Sequence, residues 1–486
     1  MSALISPEDA IKRYGKAQGN ILKGHGRENV TLLFVEFVDT AKARQWIVQL
    51  LNGGNGTPRI ISTEQQLLDR QKLRQAKEQG STFDAGLFAS LLFTAAGLKH
   101  LQVPAMPQEA TNQAPGRGRD GAFAAGMRDL AGSQLSDPAL SNWDAGWRSG
   151  PTTASPIHAL LLLADDQVLE LEQAVAGIET RATDLGIRIR VQEQGKRLKE
   201  GPAEEPHDIE HFGYADGLSQ PLYLKDDTNG PKPHSLDTQL GAEELVLVPD
   251  ALSQQPNSWG SFLVFRKLEQ NVPGFKDAEK ALGGPKTEDH PDALDLDNPE
   301  RAGAMLVGRF ENGTPVTMSR TDQIDNKPAF TNDFDYTADT AGSKCPFHAH
   351  IRKMNPRGET KDALELKHRI TRRGIPYGSR DDAQNRREAG LLFMCYQRNI
   401  GQQFEFLQRS WSNNENFLFG HGTVGLDPII GQGNRPKLTF PTSWDNATTA
   451  QAGFEQFVTL RGGEYFYAPS IGGLEALAQT AQAAAV

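Results

Sequence analysis

The order of strand-like and helix-like segments predicts an α+β fold, with duplicated ferredoxin-like domains, antiparallel sheets and peripheral helices. Three observations lead there. A strand–helix–strand–strand–helix–strand order, with some weak members, is legible in the first half of the chain and again in the second. The strand candidates are short, and are either alternating or rich in β-branched and aromatic residues. Gly (48) and Pro (28) among 486 residues are modestly above ordinary usage and well short of disorder, so many ordered loops are expected. The expected division is residues 1–205 for the first domain and 206–486 for the second.

In the first half, Val30-Thr-Leu-Leu-Phe-Val-Glu-Phe37 reads as a strand. Residues 40–51 read as a helix, with Thr40 as N-cap and Gly53-Gly54 as the stop. A second helical stretch is expected at 87–98. The nearly continuous apolar run 157–164 reads as a buried strand. A long helix follows over 165–185, with Leu171, Val175 and Ile178 on one face. Residues 187–193 alternate, as a strand with one wet face does. In the second half, strands are expected at 261–267, 391–397 and 457–461. Helices are expected at 274–282, 299–307 and 402–411, the last with Phe404, Leu407 and Trp411 on one face. Polar loops at 105–120, 225–234, 283–298 and 322–344 interrupt the pattern, mostly as surface decoration.

Composition narrows the function classes. Lys+Arg is 51 against 61 for Asp+Glu, a net charge of −10, so the overall field attracts neither nucleic acid nor an anionic membrane. The two cysteines, Cys345 and Cys395, exclude a disulfide framework and a Cys-rich metal site, and are expected as reduced thiols. The N-terminus shows no basic n-region followed by an apolar run, and no stretch reaches the ~20 apolar residues that span a bilayer. A cytoplasmic protein is expected, as monomer or homo-oligomer.

Three stretches carry chemistry. In Glu210-His-Phe-Gly-Tyr-Ala-Asp-Gly217, two glycines bracket Asp216 among apolar neighbours. Glycines let the backbone approach a flat ligand, and an aspartate in an apolar pocket can carry a proton; Asp-Gly is equally at home in a plain turn. In Cys345-Pro-Phe-His-Ala-His-Ile-Arg-Lys353, alternation puts His348 and His350 on one face of a strand. One can ligate haem iron, both can ligate a non-haem metal, or both are polar loop residues. In His368-Arg-Ile-Thr-Arg-Arg-Gly374, alternation puts Arg372 beside Ile370 and His368, with Arg373 opposite. A fixed buried charge stabilises a developing anion; the alternative is two arginines on an edge strand.

Taken together, and with Gln18-Gly-Asn-Ile-Leu22, Phe262-Leu-Val-Phe-Arg-Lys-Leu-Glu-Gln270 and Gly463-Glu-Tyr-Phe-Tyr-Ala-Pro-Ser470, these stretches resemble the dye-decolourising peroxidase family, most of all its larger, loop-rich bacterial and fungal members. The resemblance covers most of the chain. It implies two ferredoxin-like domains with haem b in the C-terminal one. It also implies a peroxidase that reduces hydrogen peroxide and oxidises dyes, phenols and related aromatic reductants through a ferryl intermediate. Residue by residue, Asp216 takes the place of the family's proton shuttle, Arg372 that of the distal charge stabiliser and His350 that of the axial iron ligand. Arg373 stands where the family often has a smaller residue. Phe212, Gly213 and Gly217 are expected against the cofactor. His350 needs a second-shell acceptor, for which Glu405 is the candidate. Tyr377 and Trp411 occupy positions resembling surface oxidation sites, although most Tyr and Trp simply pack. Two rival readings are a haem-binding or haem-delivery protein with incidental peroxidase activity, and a non-haem metalloenzyme using His348, His350 and a carboxylate.

Overall fold

The apolar runs become strands of one large sheet. The structure, a computed structural model, describes residues 4–54, 56–110, 121–128, 135–148, 157–202, 206–228, 238–324, 330–361, 364–385, 388–418 and 420–479. The loops expected at 105–120, 225–234 and 322–344 therefore lie partly outside the described residues. In chain order the strands are β1 (Asn29–Phe37), β2 (Phe88–Phe93), β3 (Ala159–Asp165), β4 (Ile187–Lys196), β5 (Leu198–Glu200), β6 (His207–Ile209) and β7 (Val248–Pro249). They continue as β8 (Trp259–Gln270), β9 (Thr371–Arg372), β10 (Ile375–Tyr377), β11 (Gly390–Gln397), β12 (Leu438–Pro441), β13 (Thr449–Ala452) and β14 (Val458–Ala468).

The main sheet runs β10-β11-β8-β14-β2-β3-β1-β4, with β7 against β8 and β9 against β11. Its ladders are antiparallel, as the sequence predicts. The duplication is visible in the order. Strands one to four of the first half lie as 2-3-1-4, and β8, β10, β11 and β14 repeat that order in the second half. Helices follow the first and third strands of the first half, Thr40–Asn52 after β1 and Val168–Arg181 after β3. In the second half, Val272–Gly283 follows β8, and a helical segment at Phe404–Phe406 and Leu407–Ser412 follows β11. The two halves meet where Tyr467 of β14 pairs with Phe93 of β2. At the other end the edges approach: Gly195 of β4 sits so close to Ile375 of β10 that a Cβ there would lie 2.5 Å from its Cγ2. The sheet thus curls into a barrel with helices outside it.

Local departures from the expected pattern have physical causes. Residues 88–93 form β2, and only Ala95–His100 is helical. Five apolar residues around Ser90 are compatible with either period, and every residue of β2 is buried. The helix at Thr40–Asn52 is capped by Asp39, whose side chain accepts from Lys42 N at 3.0 Å, one residue before the expected cap. Both cysteines are free and buried. Among the described residues no helix is long and apolar enough to cross a membrane.

The barrel interior is aromatic where the halves face one another. Phe34 of β1 is fully buried, with ring centroids 4.7 Å from both Trp147 and Phe265 and 5.9 Å from Phe466. It therefore joins β1 to β8 and β14 through packing alone. Truncating it leaves a cavity that rigid strands cannot collapse into, so Phe34→Ala is expected to cost about 3–5 kcal/mol, read from denaturant unfolding.

Candidate active site

A cavity of about 710 Å³ opens beside the second-half sheet. Leu268 and Gln270 of β8, Phe393 of β11 and Val458 of β14 supply its floor, and the helix His350–Met354 lies on one side. Residues 20, 22–27, 208–210, 212 and 214–222 add to the wall.

The loop after β6 is held by its own carboxylate. Glu210 accepts from Phe212 N at 2.9 Å, Tyr214 N at 3.0 Å and the Gln270 side chain at 2.6 Å. Burial nevertheless dominates and pushes the Glu210 carboxyl up to about 7, against the pull of those three donors. Downstream, Ala215 N donates to Glu311 O and Asp216 N to Asp208 O, both at 2.8 Å. The Asp216 carboxylate accepts from Gly217 N at 2.6 Å and lines the cavity. Gly217 has φ +73°, and a Cβ there would meet nothing within 4 Å, so its backbone presents an open face to the cavity. Phe212 lines the wall and stacks on Phe275 at 4.0 Å. Gly213 is different. It also has positive φ, but it lies off the cavity wall, facing the Glu311 carboxylate, so the expected contact with a cofactor is not what its placement offers.

Opposite Asp216, Arg372 ends β9. Its Nη2 donates to Leu218 O at 2.6 Å, its backbone N–H to the Gln220 side chain at 3.1 Å, and its Nη1 stands 4.0 Å from Asp216. Arg373 points the other way, its guanidinium bonded to the carbonyls of Asn20, Ile21 and Arg372.

His350 begins a helix, so the alternating-strand placement of His348 and His350 does not hold. The His350 ring donates from Nδ1 to Asp427 Oδ2 at 2.7 Å, and Nε2 has no hydrogen-bond partner among the described residues. Asp427 is fully buried, and its other oxygen accepts from Ile429 N and Ile430 N at 2.8 and 3.0 Å. Burial alone would raise this carboxyl, but the His350 partner and the two amides hold it below its usual range. Glu405 is not the acceptor: it takes the Tyr465 hydroxyl at 3.0 Å instead. His348 is buried edge-on to Phe440, its Nε2 without a partner among the described residues. No group of three His, Cys, Asp or Glu that could hold a metal ion occurs among the described residues.

Tyr377 and Trp411 are not surface residues. They are 5% and 2% exposed. The Tyr377 ring lies under the Lys267 ammonium at 5.0 Å, and its hydroxyl has no partner among the described residues. Trp411 stacks on Phe417 at 4.7 Å, in a π-helical turn over Leu407–Ser412.

Known proteins share this fold. Residues 16–196 match the model described as the DyP dimeric alpha+beta barrel domain, and residues 225–419 match Dyp-type peroxidase, C-terminal. The multifunctional dye peroxidase DyP2 of Amycolatopsis sp. is 37% identical, over 96% of this chain and 97% of its own. The solved DyP-type peroxidase of Anabaena sp. superposes with a TM-score of 0.82 at 34% identity, covering 98% of this chain and 97% of its own. The structure of the Amycolatopsis enzyme gives the same TM-score at 35% identity, over 98% and 99% of the two chains. The chain belongs to the dye-decolorizing peroxidase family. As such a peroxidase it is an enzyme that consumes hydrogen peroxide and an oxidisable reductant.

Within this peroxidase, Asp216, Gly217, Arg372, His350 and Phe212 share one cavity, whereas Gly213, Tyr377 and Trp411 lie outside its wall. Sequence reasoning missed Asp427 and Glu210 as working carboxylates. The only local signal for either is position: Glu210 opens the glycine-bracketed loop, and Asp427 precedes a proline in a glycine-containing loop.

The raised Glu210 carboxyl has a consequence for stability. An unfolded chain releases this proton near the ordinary 4.5, while the folded chain keeps it until about 7. The folded state binds the extra proton between those values, so its stability is fullest below the lower one and falls as pH rises through the upper. Calorimetric melting of wild type and Glu210→Gln at pH 5 and pH 8 is expected to show a pH-dependent loss in wild type that the variant lacks. An equal loss in both would refute the assignment.

Proposed function

We propose that the cavity holds haem b, that His350 would hold its iron through Nε2, and that Asp216 and Arg372 carry the chemistry on hydrogen peroxide. The observation that carries this reading is the bond from His350 Nδ1 to Asp427. It fixes the ring tautomer and leaves Nε2 unpartnered on the wall of a cavity that also bears Asp216 and Arg372.

The residues fit such a group. The volume lies in the range of about 300–1,000 Å³ usual for small-molecule and cofactor sites, and apart from Gln270 the floor is apolar. The open backbone of Gly217 allows a flat ring to approach closely. Arg309 and Arg357 add positive charge to the wall, their guanidinium groups held by the carbonyls of Gly313, Thr331, Asn332 and Phe334 and by the Asn332 and Ser219 side chains. Bound haem supplies an iron centre able to accept oxidising equivalents from peroxide.

The chain's own groups then divide the work. The Asp216 carboxylate takes the proton from one peroxide oxygen and returns it to the other, which leaves as water. The Arg372 guanidinium, 4.0 Å from Asp216, holds a fixed positive charge where negative charge develops as the O–O bond breaks. The Asp427 carboxylate keeps the His350 ring oriented and electron-rich. Dyes, phenols and related reductants complete the turnover.

An absorption spectrum followed by peroxide titration with a reducing dye tests this. A Soret band and steady turnover are expected. Asp216→Asn is expected to lower turnover about 10²–10⁴-fold, with haem retained. Arg372→Leu is expected to lower it about 10²–10³-fold. Full activity in both would sink the assigned roles, and an unaltered haem spectrum in His350→Ala would refute its ligand role. Asp427→Asn is expected to weaken haem retention or activity about 10–100-fold, measured by haem transfer to an acceptor protein.

A further inference from the structure

Two cations act on the Asp427 carboxylate without bonding to it. Lys353 lies three positions after His350 on the helix His350–Met354, so the two side chains share a face. It is fully buried, and its Nζ donates to Asn414 O at 2.8 Å and Gly425 O at 2.7 Å. Between those carbonyls, Val424 N and Gly425 N both donate to Glu415 O, at 2.7 and 2.9 Å. The lysine therefore closes the neck of a loop that leads directly to Asp427. Burial pushes its ammonium down to about 8, while Asp427 pulls the other way. It thus carries its charge at neutral pH.

Beyond Asp427 in the chain, Arg435 does the same. Its Nη1 donates to Pro428 O at 3.2 Å and its Nη2 to Gly431 O at 2.6 Å, and its Nε has no partner among the described residues. The residues between those two carbonyls are Ile429 and Ile430, whose amides hold Asp427 Oδ1. Burial lowers the guanidinium, and Asp427 again opposes it. The carboxylate itself is left to His350 and the two amides. A cation set against carbonyls alone forgoes the stronger bond that a carboxylate offers. Here the arrangement leaves the His350 bond undisturbed while placing positive charge near it. The basicity of the carboxylate decides how far it draws the Nδ1 proton, and positive charge nearby lowers that basicity.

We propose that Lys353 and Arg435 are positioning residues that grip the Asp427 loop on either side of the carboxylate and temper its pull on the His350 Nδ1 proton. The ring then donates less charge through Nε2 than it would beside an unattended aspartate. The effect on iron rests on the haem reading of the cavity; the grip on the loop does not.

Spectroelectrochemistry and resonance Raman of the haem-loaded full chain read the tempering. Lys353→Met keeps the stem and removes the charge. In this variant the ferric form is expected to gain about tenfold over the ferrous form, a midpoint ~59 mV lower for one electron. The iron–His350 stretching frequency is expected to rise, because a ring that gives up more of its Nδ1 proton is the stronger donor. Arg435→Met is expected to move both readouts in the same direction, and serves if the lysine variant fails to fold. In an Asp427→Asn background the rise in stretching frequency is expected to vanish. An unchanged frequency in both cation variants, or an equal rise without the carboxylate, overturns the tempering. Hydrogen exchange of the full chain reads the grip: the Ile429 and Ile430 amides are expected to exchange about tenfold faster in Lys353→Met, while β8 and β11 keep their protection. Unchanged exchange there overturns the grip. If His350→Ala keeps the wild-type Soret band, the haem reading fails and the tempering with it, while exchange still decides the grip.

Discussion

The site depends on continuity of one antiparallel sheet across two similar halves. Each half orders its strands 2-3-1-4, and they are joined where Tyr467 meets Phe93. A single paired position is a weak seam by hydrogen bonding alone. It holds because the barrel interior fills with aromatic rings from both sides, with Phe34 touching Trp147, Phe265 and Phe466. The cavity floor uses the same strands, so packing that closes the barrel also sets the spacing between Leu268, Phe393 and Val458.

On that floor, buried charge is managed in three ways. Asp427 is paired with a ring and two amides, which keeps it ionised. Glu210 is surrounded by three donors, and burial still prevails. Arg373 is met only by carbonyls. These solutions have different uses. The first orients the His350 ring, the second holds the loop after β6, and the third ties β9 to residues 20 and 21. In each case the cost of taking a charge out of water is offset by geometry that a neutral side chain would not enforce.

Much of this was legible in the sequence, for reasons that differ by residue. β1, β3, β8, β11 and β14 announce themselves as apolar or alternating runs, because strands buried in a barrel need little polar punctuation. Asp216, Arg372 and His350 were singled out because their neighbours resemble a known family's motifs, and the structure brings the three to one cavity; local chemistry left each with a bland alternative. β2 was read as helix because five apolar residues around Ser90 carry no decisive period. Asp427 was invisible because it stands 77 positions from His350, in a loop without periodicity. Glu405 looked available, but a helix packed against β14 gives it to Tyr465. The burial of Tyr377 and Trp411 is a tertiary fact that no local pattern encodes.

The seat of β14 also bears on how the protein comes into being. A ribosome releases the chain from its N-terminus, and β14 emerges after the other strands of the sheet, yet it sits in the middle, between β8 and β2. Until it arrives, β8 has an open edge and the first half has no seam to the second. The nascent chain can build each half locally, but the cavity floor lacks Val458 and stays incomplete until that strand slots in. Any group the cavity holds would meet a complete floor only once β14 has emerged, because a fragment released before that strand lacks Val458.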